Sequence, residues 1–176
     1  MSELTAEWEH LLWDVNGVPL PPPVPVRLRF YAAAHTARGL RILHRHGWGP
    51  AHRWLRDLHP GPQSGAYRSL GPPVAVRLAR RELLASQLVL RMVEPNGLCL
   101  PRAFALATHL SALGLPAEVV VARRRISPKG QHGFHAWTEL YDEVLNDIPH
   151  IQGGYTILQR VTCQATQQDR ARGSSP

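Results

Sequence analysis

The chain has 176 residues, is 44% hydrophobic, and carries a net charge of +7 with a pI near 10.4. That length suits one domain, or a catalytic core with a helical extension, and the apolar fraction excludes general disorder. Lys129 is the only lysine, so arginine supplies nearly all the positive charge. Such a surface attracts nucleic acid, anionic lipid or an acidic peptide, and it is equally the mark of a composition that uses Arg in place of Lys.

Cys99 and Cys163 are too few for a disulfide framework in a chain this long. The start, Met1 to His10, is acidic and lacks the basic-then-apolar order of a secretion signal. No apolar run approaches the ~20 residues that span a bilayer. A cytoplasmic, reduced protein with no membrane segment is the expectation.

Residues 1–23 form an N-terminal arm, with a short amphipathic segment (Trp8, Leu11, Leu12), a turn at Asn16-Gly17, and prolines at 19 and 21–23 that forbid regular structure. Residues 24–93 make a helical N-terminal subdomain. Val26, Phe30, Ala33, Ala37, Leu40 and Leu43 recur at helical steps up to His46, with Gly47 as the stop. A second helix is expected over 50–58, with Trp54, Leu55 and Leu58 facing inward. Residues 59–73, rich in Pro and Gly, read as a loop. A long helix over 74–92 is expected to bury Val76, Leu83, Leu84, Leu88 and Leu90 and to leave Arg77, Arg80, Arg81 and Glu82 in water.

His44-Arg45-His46, with His52 nearby, is the one metal-like cluster. Alternate positions on a helix point about 200° apart, so a solvated helix end is expected and no metal or cofactor.

Residues 94–160 change to helix-then-strand order, and 161–176 make a polar tail. Cys99 to Leu113 reads as a helix with a stripe of Ala103, Leu106, Ala107 and Leu110. Pro101 is tolerated because it falls in the first turn, and Gly114 ends the element. Strands are expected over 117–122, 134–140, 144–147 and 155–158. The basic stretch from Arg123 to Gly133, with Ser127, Pro128, Lys129 and Gly130, reads as a loop.

Helix N-termini present unpaired N–H groups and a partial positive charge. A cysteine placed there has its thiolate favoured, and the same N–H groups can receive an oxyanion. Cys99 is placed in that way, although a free cysteine taken alone is more often a small buried hydrophobe. His135 and Asp147 sharpen the choice. If a three-residue connection sets Glu139 opposite Glu143, His135 falls directly opposite Asp147, with Cβ atoms roughly 4.5–5.5 Å apart. The carboxylate would then accept the Nδ1–H of the imidazole and leave Nε2 for the thiol. A register shifted by one would send the two side chains to opposite faces. His135 is also readable as a capped strand-start histidine, and Asp147 as a turn residue before Ile148-Pro149.

Trp137 shares the His135 face and could shield the pair or contact substrate; it is as readable as plain core. Asn96 could lend an amide to an oxyanion, and Pro95-Asn96-Gly97 is also simply a turn. His132 is a second base candidate, and Cys163 reads as incidental.

The run Gly97-Leu98-Cys99-Leu100-Pro101-Arg102-Ala103, then Gly114-Leu115-Pro116-Ala117, His135-Ala136-Trp137 and Val144-Leu145-Asn146-Asp147, resembles the transglutaminase-like cysteine protease superfamily over roughly residues 90–160. Within it the motifs are most similar to the B2 proteins of lasso peptide biosynthesis, leader peptidases of ribosomally made precursors. The resemblance implies an α+β fold with a papain- or transglutaminase-like core, in which the nucleophile helix packs on a small antiparallel sheet. It implies Cys99 as nucleophile, His135 as general base and Asp147 as its orienting partner. It also implies a precursor peptide as substrate, a separate leader-recognition protein of the RRE type (B1), and an ATP-dependent cyclase that takes the freed core peptide.

Two other functions stay open. One is an acyltransferase or amidase on the same core, in the manner of transglutaminases or arylamine acetyltransferases. The other is a non-catalytic basic interaction module. Single-stranded nucleic-acid binders interleave exposed aromatics with basic residues, and no such array is visible, so no nucleic-acid partner is expected. The triplet Arg123-Arg124-Arg125 could guide an acidic leader.

Overall fold

In a computed structural model the chain is described over residues 18–125 and 133–166. The amphipathic segment around Trp8, the Asn16-Gly17 turn, Ser127 to His132 and most of the polar tail lie outside these residues.

The fold is α+β. Helices α1 (Val26–His46), α2 (Trp48–Arg56), α3 (Gly65–Arg68) and α4 (Pro72–Val93) precede α5 (Cys99–Ala112), and a four-stranded sheet follows. Its strands are β1 (Glu118–Arg124), β2 (Phe134–Leu140), β3 (Glu143–Val144) and β4 (Tyr155–Thr162), in the order β3-β2-β1-β4 with every pair antiparallel. A bulge at Val121/Ala122 shifts the β1–β4 register. No helix among the described residues is long and apolar enough to cross a membrane.

Helix α5 is the centre of the molecule. Residues Ala103 to Ala112 are buried without a break, so beyond its first turn this helix has no solvent face and is covered by α1 and α4 on one side and the sheet on the other. Gly114, at φ 96°, takes the left-handed conformation that closes α5. Leu115 N donates to Leu110 O (2.9 Å) and Gly114 N to Ser111 O (3.0 Å), the paired bonds of a Schellman stop. One hydrophobic core joins the helices to the sheet, running from Leu28 and Leu40 through Phe104 and Leu106 to Val119 and Leu140.

In the helical half Leu40, Leu43, Leu55, Leu58 and Leu90 are buried as the sequence predicts, and the difference lies in four large side chains and one acid. On α1 the core face is Leu28, Ala32, Thr36, Gly39, Leu40 and Leu43, while Val26 and Phe30 are exposed. On α4, Leu84 and Leu88 are exposed and Glu82 is only 1% exposed. Small residues decide this. Gly39 lies where a Cβ would come within 2.6 Å of the Trp54 ring, and Ala75, Ala79 and Ser86 line the core face of α4. Close helix approach outweighs the count of large apolar side chains. Glu82 tolerates burial because Arg29 Nη2 donates to Oε1 (2.8 Å) and His109 Nε2 lies 3.4 Å from Oε2. Pro72 and Pro73 open α4 rather than ending the preceding loop, as prolines in a first turn can.

Candidate active site

Cys99 is the first residue of α5, with Leu98 extended before it as N-cap and no side-chain cap on the helix. Pro95 and Asn96 form the turn that leads in, closed by Gly97 N donating to Glu94 O (3.0 Å). Arg102 pins the same turn, its Nε donating to Gly97 O (3.1 Å). In the first turn of α5, Arg102 N already donates to Leu98 O (3.2 Å) and Pro101 has no N–H. The N–H groups of Cys99 and Leu100 are therefore the ones the helix leaves without an internal acceptor. The thiol is half-buried.

His135 lies near the start of β2, and its Nε2 is 2.5 Å from Asp147 Oδ2. The other carboxylate oxygen of Asp147 accepts from Ile148 N (2.8 Å), which fixes the acid. The hairpin itself is not the one expected. Glu139 pairs with Val144 and Leu140 with Glu143, so the connection is two residues, not three. Tyr141 and Asp142 both take positive φ (53° and 68°), as a tight hairpin turn of the I′ kind requires. Continued in that register, alternation would have parted His135 and Asp147.

They meet because β3 ends after Val144. Leu145 N still donates to Thr138 O (3.0 Å), and then the Asn146 side chain takes over, its Oδ1 accepting from Thr138 N (2.7 Å). The chain leaves the ladder at that point, and strand alternation no longer governs Asp147. The expected role of the two ring nitrogens is also reversed: Asp147 holds Nε2, and Nδ1 is the nitrogen left for chemistry.

The two faces of β2 do different work. Ala136 and Leu140 join the core shared with the helices, and Thr138 Oγ1 donates to Ala103 O (2.9 Å), bonding the strand to the nucleophile helix one turn beyond Cys99. His135, Trp137 and Glu139 occupy the other face. The His135 ring packs at 5.4 Å from Tyr155 and 6.0 Å from Trp137, and those two rings meet edge to face at 5.9 Å. Trp137 is fully buried, so it presents no surface to a ligand, and its contact is with the imidazole.

Beneath them sits Glu139, 1% exposed and saturated with donors. Its Oε1 accepts from Trp137 Nε1 (2.6 Å) and Gln152 Nε2 (2.7 Å), and its Oε2 accepts from Arg160 Nη1 (2.5 Å). Burial works to lower the Arg160 pKa, but its bonds to Glu139 and Glu118 outweigh that and hold it above the usual arginine value.

The structure thus brings His135 and Asp147 together on the face of β2 opposite to Thr138, whose hydroxyl bonds the strand to the helix that Cys99 opens. Among the described residues no hydrogen bond joins the Cys99 thiol to His135. Asn96 is exposed in its turn. Cys163 is fully buried, its Sγ donating to Leu58 O (2.8 Å). Tyr155, Glu139, Gln152 and Thr138 were not singled out from sequence; the spacing of His135, Trp137 and Glu139 on alternate positions was the available signal for the second. Among the described residues no three His, Cys, Asp or Glu side chains are grouped to hold a metal ion, and His44, His46 and His52 remain separate.

A family model described as Transglut_core3, transglutaminase-like superfamily, matches residues 40–160. That span takes in the end of α1 and helices α2 to α4 as well as α5 and the sheet. No curated protein and no solved structure matches the chain.

Proposed function

From the premise that the chain belongs to the transglutaminase-like superfamily, we propose that it is a cysteine endopeptidase acting through Cys99, His135 and Asp147. The observation that carries this reading is the His135–Asp147 bond, on a strand that is itself hydrogen bonded to the helix begun by Cys99. The superfamily supports a thiol-dependent hydrolase or acyl-transfer core. The finer reading, removal of the leader from a ribosomally made precursor in lasso peptide biosynthesis, rests on the motif resemblance around Cys99, His135 and Asp147. In that reading a separate leader-recognition protein presents the precursor, and a cyclase takes the product.

In mechanism, His135 Nδ1 takes the thiol proton and Sγ adds to the scissile carbonyl carbon. The carbonyl oxygen, now carrying the charge, is held by the N–H groups of Cys99 and Leu100. Asp147 keeps its hold on Nε2 and stabilises the imidazolium. The C–N bond breaks as His135 returns the proton to the leaving amine, and a thioester remains on Cys99. Water, deprotonated by His135, adds to the thioester carbon, the C–S bond breaks, and acid and free thiol are restored. The first step requires the thiol and the imidazole to come within hydrogen-bonding distance.

A thiol-directed electrophile should label Cys99, and Cys99→Ala should abolish cleavage of a precursor peptide supplied with its recognition protein, while Cys163→Ala cleaves normally. Unchanged cleavage by Cys99→Ala sinks the proposal. The superfamily also favours a second reading, acyl transfer from the same thioester to an amine; transfer product in excess of hydrolysis when amines are added would select it.

A further inference from the structure

Residues 18–22 meet α4 where Arg77 Nη1 donates to Val18 O (2.6 Å) and Arg81 Nη2 to Pro22 O (3.4 Å), and beyond Arg81 the outer face of the helix is apolar and exposed. Its core side is Ala75, Ala79, Glu82, Ser86 and Leu90. At 100° per residue, Leu84, Leu88 and Met92 fall on the opposite side, and they are 72%, 61% and 77% exposed. One exposed leucine needs no explanation. Three large apolar side chains at i, i+4 and i+8 form a stripe about 12 Å long, the pattern with which one helix receives another.

Charge narrows the occupant. The only carboxylate of α4 is Glu82, which is buried, whereas the exposed residues flanking the stripe include Arg81 and Arg91. Among the described residues Arg91 has no ion-pair partner. A second copy of the chain would bring like charges together across such a face.

Place narrows it further. Glu82 faces His109 in the last turn of α5, so α4 runs antiparallel to α5. The connection then tucks under the end of α4, with Glu94 N donating to Leu90 O (2.7 Å) and Gly97 N to Glu94 O (3.0 Å). The stripe therefore climbs toward the end of α5 that Cys99 opens, and Leu98, 75% exposed, stands between.

We propose that the outer face of α4 is a docking track for the peptide substrate, fitting a segment with apolar side chains one helical turn apart and carboxylates beside them. The inference rests on Cys99 as the nucleophile and adds where the rest of the substrate is held. Apolar side chains of the bound segment pack between Leu84, Leu88 and Met92, its acids meet Arg81 and Arg91, and its chain leads over Leu98 to the thiol.

The test uses the full chain and a fluorescent synthetic peptide of about 20 residues, long enough for several helical turns, with Leu at i, i+4 and i+8 and Glu between. Anisotropy should show saturable binding, weakened about tenfold or more by the triple change Leu84→Ser, Leu88→Ser and Met92→Ser. Arg91→Glu and raised salt should weaken it too. The triple variant should keep the wild-type rate of Cys99 labelling by a small electrophile, showing an intact fold, and its KM for a cleaved peptide should rise with kcat unchanged. Equal binding of a scrambled peptide, or an unchanged Kd in the triple variant, overturns the docking track. So does loss of a dimer in sedimentation, or binding to phosphatidylserine vesicles in place of the peptide. Probe binding by Cys99→Ala alongside an unreactive wild-type thiol would instead reject the peptidase reading and leave the track standing.

Discussion

Two carboxylates are buried to the same degree, Glu82 in the helix layer and Glu139 on the outer face of the sheet, each 1% exposed. Glu82 joins three helices, taking Arg29 from α1 and facing His109 from α5, and it touches nothing near the candidate site. The other ring nitrogen of His109, Nδ1, has no hydrogen-bond partner among the described residues. Glu139 has three donors on two oxygens, and one of them is the indole that packs against His135. The same burial is put to different use: a lock between helices in one case, a floor under an imidazole in the other. An isolated buried charge is costly wherever it lies, so the surroundings, not the residue type, decide what the group is for.

The sharpest way to separate the two regions is to remove reacting groups on one side only. Cys99→Ala and His135→Ala should each reduce turnover by on the order of 10⁴-fold or more, with Tm within a degree or two of wild type. Asp147→Asn, which keeps the shape and loses the charge on Nε2, should lower kcat by about 10³–10⁴-fold. Progress curves of peptide cleavage beside thermal melts test this, and a wild-type rate for either histidine-pair variant would refute the assigned roles.

Next in size, Glu139→Leu leaves the Trp137 and Gln152 donors unpaired and should destabilise the chain by about 3 kcal/mol in urea. Glu139→Gln retains an acceptor for the indole and should recover part of the activity as well as stability. A purely structural Glu139 would lower stability with the pH–rate profile of the folded fraction unmoved; a floor under His135 shifts that profile.

Glu82 supplies the contrasting measurement. Burial pushes its carboxyl up, but the hydrogen bonds from His109 and Arg29 and the Arg29 charge outweigh this and hold it below the usual carboxylate range. A depressed folded value means its stabilisation is complete above the unfolded carboxylate pKa of about 4.3 and is lost as pH falls through the lower folded value. Tm should therefore fall as pH drops below about 4. Glu82→Gln should flatten that part of the curve and lower stability at neutral pH by about 1–3 kcal/mol, without changing kcat. An unaltered acid limb in this variant would assign the sensitivity elsewhere.

The smallest expected effect is at the seam between the regions. Thr138→Val deletes one bond to Ala103 O and should reduce stability by about 1 kcal/mol. Because that bond ties the His135 strand to the Cys99 helix, kcat should fall several-fold more than the stability loss explains; a change in stability alone would make Thr138 a packing residue.

Local rules written in the chain fixed much of this. Gly47 and Gly114 end their helices, Pro101 in a first turn marks the start of α5, and the valines at 119–121 lie within β1. Periodicity located α1 and α4 and placed Leu40, Leu43 and Leu90 in the core, but it also turned Val26, Phe30, Leu84 and Leu88 inward, because they outweigh Ala75, Ala79 and Gly39 in any count of hydrophobicity. Whether a face is buried depends on how closely a neighbour can approach, which no single helix encodes.

Residue order alone therefore determined the elements, their stops, and the presence of a thiol, an imidazole and an acid at suggestive places. Only tertiary structure decided that β3 stops after Val144, that Asn146 caps the Thr138 N–H, and that Asp147 consequently reaches Nε2. Local propensities act over a few residues, whereas that contact depends on where a strand breaks against its neighbour, and the break is set by the packing of both.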